Sequence, residues 1–215
     1  MSAIVVFGAG GRAGRAVVRE ARERGHRVTA VVRDPAAYAL REGRPGPEAD
    51  DVVAGDVTDA DVIARVAAGH QVAVNAAADL AAPPMEFFPA AARALLGGLE
   101  RAGVRRLIAV GLATGLRTAE GTLLMDTPGY PQEYREFYLG HEAGDAVLRE
   151  AVTPVDWLVI SPSGDFDHDG IRTGGYRVAP GDAGSRISYP DLAVAVLDEA
   201  ERPRHHRVHL GVERI

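Results

Sequence analysis

The chain of 215 residues contains no cysteine. That absence removes disulfides, thiolate nucleophiles and cysteine-built zinc sites together, and it fits a reducing compartment such as the cytoplasm. Lysine is absent as well, because every one of the 24 Lys+Arg residues is arginine. A Schiff base, a Walker lysine and a Tyr-x-x-x-Lys dyad each need a side-chain amine, so all three are excluded. Long apolar runs are also lacking. The first, Ala3 to Phe7, stops at glycines, and no basic residue precedes it, so neither an export leader nor a membrane span is expected. Positive charge is in deficit, with a net −6, which argues against a nucleic-acid partner and leaves a small molecule as the expected one.

The residues that are present alternate between two periods. "AIVVF" (3–7), "HRVTAVVRD" (26–34), "DVVAGDV" (51–57), "QVAVNAAA" (71–78), "RRLIAVG" (105–111), "VDWLVISP" (155–162) and "HRVHLGV" (206–212) read as buried strands. Between them lie helical patterns at 12–24, 58–69 with Thr58 as N-cap, 86–102, 131–150 with Pro131 in the first turn, and 189–202. "REGRPGPEAD" (41–50) reads as an exposed connection. Near-continuous apolar strands alternating with helices predict one α/β domain over 1–215, a Rossmann-like, doubly wound parallel sheet. Segments 112–130 and 163–180 are expected as its substrate-side loops.

The first strand runs into "GAGGRAG" at the mouth of a helix. Glycines there let backbone N–H groups approach a pyrophosphate, and the helix dipole adds about half a positive charge. Two registers fit the dinucleotide fingerprint, Gly8/Gly11/Gly14 and Gly8/Gly10/Ala13. The second strand ends in "VVRDP", where an NAD site usually carries an acid for the ribose 2′-hydroxyl. Arg33 in that place suits a 2′-phosphate, with Arg12 assisting, so NADP(H) is favoured over NAD(H). The alternative is that Asp34 takes the ribose while Arg33 is solvated.

"GAGGRAG", "VVRDP", "GDVTD", "VNAAA", "GVRRLIAVG" and "DWLVISPS", in this order, resemble the NAD(P)H-binding proteins of the atypical short-chain dehydrogenase/reductase group. Its small NmrA-like, NADH-flavin-reductase-like and biliverdin-reductase-B-like members are the nearest in pattern. The resemblance implies that Asp56 and Val57 flank an adenine, that Ala76 and Ala77 line a ribose, and that Pro162 and Ser163 approach a nicotinamide. It departs from the extended family after Tyr134 and Tyr138, which are followed four residues on by Tyr138 and Glu142 instead of lysine. "VGLAT" holds Thr114 where a serine would stand.

Hydride transfer to an acceptor needing little acid help, such as a flavin, a quinone-like ring or a carbonyl compound, is therefore the expected activity. An NADP(H)-sensing regulator without turnover is the alternative, as is a reductase or isomerase of secondary metabolism. Tyr134, Tyr138 and His141 share one predicted helix, with Tyr138 and His141 on one face, so His141 is a candidate proton donor. "DFDHDG" (165–170) begins like a calcium loop, but Tyr176 stands where the bidentate glutamate belongs, so it reads as a substrate-side loop with Phe166 in the pocket wall. His205, His206 and His209 read as the surface of a terminal strand, with no metal expected.

Overall fold

The computed structural model describes residues 1–41 and 49–215, so most of the expected connection at 41–50 lies outside the described residues. Ten strands and six α-helices follow in chain order: β1 (Ala3–Phe7), α1 (Arg12–Glu23), β2 (Arg27–Val32), α2 (Pro35–Arg41), β3 (Asp51–Ala54), α3 (Ala60–Ala67), β4 (Val72–Asn75) and α4 (Pro84–Ala102). Then come β5 (Arg106–Val110), α5 (Arg135–Glu150), β6 (Asp156–Pro162), β7 (Asp165–Asp167), β8 (Tyr176–Val178), β9 (Arg186–Ser188), α6 (Tyr189–Glu201) and β10 (Val208–Arg214). Eight strands form the main sheet in the order β3-β2-β1-β4-β5-β6-β10-β8. All neighbours pair in parallel except β8, which runs antiparallel to β10.

Alternation along each strand builds two cores. Ile4 and Val6 of β1, with Leu158 and Ile160 of β6, pack under α1 and α6, whereas Val5, Phe7, Trp157 and Val159 pack under α3, α4 and α5. Covering both faces makes the sheet doubly wound, and strand order reverses direction at β1, between β2 and β4. In such sheets a crevice opens at that switch point, beyond the carboxyl ends of the strands.

Three expectations about element ends are corrected. Thr58 does not cap α3. Its N–H and hydroxyl both donate to Asp56 Oδ1 (2.8 and 2.7 Å), and Asp59 takes the cap by accepting from the N–H groups of Asp61 and Val62. Helix α5 starts at Arg135, not at Pro131, because Gln132 and Arg135 reach back to the Met125 carbonyl and hold the preceding residues in a turn. The segment 163–188 is not all loop, since β7 pairs with β9 and β8 joins the main sheet.

Candidate functional site

A cavity of about 670 Å³ opens at the switch point, within the range of roughly 300–1,000 Å³ usual for small-molecule and cofactor sites. Its wall comes from the carboxyl ends of four strands: Gly8 after β1, Arg33 after β2, Asp56 and Val57 after β3, and Ala76 and Ala77 after β4. Gly10 and Gly11 line it too. Gly8 has φ +73, and a Cβ there would stand 2.5 Å from the Ala77 Cα. At Gly14 a Cβ would stand 2.2 Å from the Gly8 carbonyl oxygen, whereas at Gly10 the nearest atoms are 3.7 Å away. Close approach of backbone to backbone thus singles out Gly8 and Gly14, the register with Gly11 between them, and gives Gly10 and Ala13 no packing role of this kind.

Helix α1 begins at this turn without a side-chain cap and without an acid in its first turn. By contrast α3 and α6 are capped by Asp59 and Ser188. The open N–H groups of α1, the glycine turn and the cavity together fit the pyrophosphate of a dinucleotide.

Two residues of the wall were not singled out from the sequence. Arg15, one turn into α1, lines the cavity while its Nε donates to the Gly10 carbonyl at 3.0 Å. The signal was the spacing from the glycine turn. Asp79 faces Arg33 across the rim, with Arg33 Nη1 2.5 Å from its Oδ2, and nothing in the local pattern "AAADLAA" marks it. Asp34 lines the cavity as well, but its Oδ1 accepts the Ala37 N–H at the start of α2.

Arg12, Pro162 and Ser163 are not in this wall. Arg12 is exposed and lies 2.6 Å from His168 Nδ1, and the Ser163 hydroxyl donates to the Ala179 carbonyl. The expected Phe166 wall takes the form of a stack on Tyr189, with ring centroids 4.1 Å apart, beside His168.

The helix α5 residues divide. Tyr134 is exposed at the helix start, and Thr114 is buried in a short 3-10 turn at 113–115. Tyr138 is buried against Tyr130 and Tyr134, and burial, followed by the charge of Glu133, holds its phenol above the ordinary value. Burial, with the neighbouring Tyr138, pushes the Tyr130 phenol up to about 12. His141 turns elsewhere. Its ring packs on Phe88 and Phe137, and it lines a second cavity of about 40 Å³ with Asn75 and Asp145, which touches the large one only through Ala77.

The expected shared face of Tyr138 and His141 is therefore corrected, because the roughly 60° between positions three apart is enough to send the rings into different surroundings. Burial pushes the His141 pKa down to about 4, so the ring is neutral at pH 7 and holds no proton to give as an imidazolium. The folded pKa lies below the usual 6.5, so the unfolded chain binds more protons between about pH 4 and 6.5, and stability falls with pH across that window. His141→Gln should flatten that fall in urea titrations at pH 4.5, 5.5 and 7. An unchanged slope would show that His141 is not the buried titrating group.

His209 is not a surface histidine. It lies under α5 with Nε2 2.6 Å from Ser161 Oγ and Nδ1 3.1 Å from Asp145 Oδ2, the latter an ion-pair distance without hydrogen-bond alignment. Ser161 is fully buried, which keeps this Ser-His-Asp set from presenting a nucleophile. His205 pairs with Glu199 and His206 with Asp156. Among the described residues no group of three or more His, Asp or Glu side chains is arranged to hold a metal ion. No described helix is long and apolar enough to cross a membrane.

A parallel doubly wound sheet with a glycine turn at its switch point defines a dinucleotide-binding Rossmann protein. The chain belongs to the NAD(P)H-binding family, whose pattern it matches over residues 8–203. It is 36% identical to the uncharacterized protein YwnB of Bacillus subtilis (strain 168), over 94% of this chain and 93% of that one. A candidate exported protein from Burkholderia pseudomallei superimposes with TM-score 0.84 at 33% identity, covering 99% of this chain and 100% of the other. A candidate NADH-flavin reductase from Streptococcus pneumoniae TIGR4 does so with TM-score 0.84 at 26% identity, covering both chains completely. These likenesses agree with the atypical short-chain dehydrogenase/reductase pattern of the sequence.

Proposed function

We propose that this chain is an NADPH-dependent reductase acting on a small planar or carbonyl-type molecule. The observation that carries it is the 670 Å³ cavity, with Gly8, Gly11 and Gly14 at one end and Arg33 on its rim. When bound, the nicotinamide supplies the hydride, and the chain supplies position and electrostatics. The glycine turn and the α1 N-terminus hold the pyrophosphate, Arg33 the 2′-phosphate, Asp56 and Val57 the adenine, and Ala76 and Ala77 a ribose. Pro162 and Ser163 end β6 on the nicotinamide side, where 112–130 and 163–180 form the substrate walls.

Within those walls Tyr130 and Tyr138 keep neutral phenols at pH 7, since burial raises both. A neutral phenol can donate a hydrogen bond to an acceptor oxygen or ring nitrogen without being a strong acid. An acceptor that takes its proton from water matches a cleft with no lysine and with His141 turned away from it.

The test is NADPH oxidation over a panel of flavins, quinones and small carbonyl compounds. Turnover on at least one of them is expected, and Tyr138→Phe should lower kcat about tenfold while leaving NADPH binding unchanged. A variant with full kcat would remove the donor role.

The withdrawal of His141 into its own cavity also favours a second reading, a sensor that binds NADP(H) without turnover. Tight binding with no oxidation across the panel would decide for it.

A further inference from the structure

The rim of the large cavity carries a carboxylate that the reading above does not use. Arg33 leaves the end of β2 and Asp79 the loop after β4, so their contact of 2.5 Å crosses the switch point from one side of β1 to the other. The two partners are not equally mobile. Arg33 is 67% exposed along its side chain and Asp79 only 20%. Asp79 Oδ1 also accepts the Ala81 N–H at 3.0 Å, which fixes the carboxylate to its own loop. That N–H and the Arg33 guanidinium hold the carboxyl below its ordinary range, so the group is a fixed anion facing a movable cation. Asp34, the other acid among these wall residues, already uses an oxygen on Ala37.

We propose that Asp79 is a specificity-determining residue that opposes a 2′-phosphate and accepts a 2′-hydroxyl. The proposal rests on the assignment of Arg33 to the 2′ position of the cofactor. A 2′-phosphate can bind Arg33 only by taking the guanidinium from Asp79, and the tethered carboxylate then stays beside a group of like charge. A 2′-hydroxyl is a donor, and an ionised carboxylate accepts from it with the ion pair intact. Arg33 and Asp79 are thus opposed selectors on one rim, and the chain's preference for NADP(H) is held below what Arg33 alone would give.

The test uses nucleotides that carry only the adenosine half, 2′,5′-ADP and 5′-AMP, titrated calorimetrically. Asp79→Asn removes the charge but keeps an oxygen for the Ala81 N–H. It should tighten 2′,5′-ADP about tenfold and change 5′-AMP by less than about twofold. Asp79→Ser, whose hydroxyl can also accept from Ala81, should move both ligands in the same way and guards against a loop change peculiar to asparagine. Weaker 2′,5′-ADP binding in both variants would overturn the proposal, making Asp79 a residue that orients Arg33. Equal changes for the two nucleotides, or none, would overturn it too. Wild-type protein that binds neither probe, NADPH nor NADH would instead remove the reading of the cavity on which the proposal stands.

Discussion

Gly14→Ala is expected to lower the free energy of unfolding by about 3 kcal/mol or more and to abolish dinucleotide binding. The new Cβ would lie 2.2 Å from the Gly8 oxygen and 2.8 Å from the Ala9 Cα, so backbone must move. Gly8 has no room to yield, because it is itself packed onto Ala77 with a left-handed φ of +73. Strain at Gly14 would pass through the turn into β4 and open the cavity floor. Gly10→Ala is the control. Its Cβ would meet only the side chains of Tyr38 and Val32 at 3.7 Å, an ordinary contact, and the change should stay within about 0.5 kcal/mol. Urea unfolding of the two variants separates the registers, and a Gly10→Ala variant as damaged as Gly14→Ala would reverse the assignment.

Arg33→Ala should weaken NADPH binding about a hundredfold, or about 2.8 kcal/mol, and NADH binding less than about threefold. The side chain is 67% exposed and its partner Asp79 keeps the Ala81 N–H, so the fold itself should barely change. Direct titration reads the difference as a ratio of dissociation constants. Parallel losses for the two nucleotides would mean that Arg33 serves the cavity in general and has no claim on the 2′ position.

The layout of the sheet was legible because each buried strand is a short apolar run closed by polar or glycine residues. The seven strands read from the sequence are β1 to β6 and β10. The three missed strands, β7, β8 and β9, have three residues each, too few for a period to show. The choice between Thr58 and Asp59 as a cap hung on which neighbour captured Thr58, and Asp56 did so from two residues back. The glycine turn was legible as a turn, yet its register depended on how closely β4 passes Gly8, a distance that no local pattern carries.

The same limit explains the site. Arg33 and the residues after β3 and β4 were readable from their place at strand ends. Asp79 became part of the rim only because the loop after β4 folds toward β2, which is a tertiary fact. His141 and His209 were misplaced for a related reason: whether a polar residue on an amphipathic element faces the cleft, the core or solvent depends on the helix or strand beside it. Phe88 and Phe137 enclose the first, and Ser161 and Asp145 hold the second.

The central claim is that the cavity at the switch point holds a nicotinamide dinucleotide by its 2′-phosphate. Equilibrium titration of the wild-type protein with NADPH and with NADH, followed by nucleotide fluorescence, tests it most directly. Saturable binding of one NADPH per chain is predicted, with NADH weaker. The absence of saturable binding of either nucleotide up to millimolar concentration would contradict it.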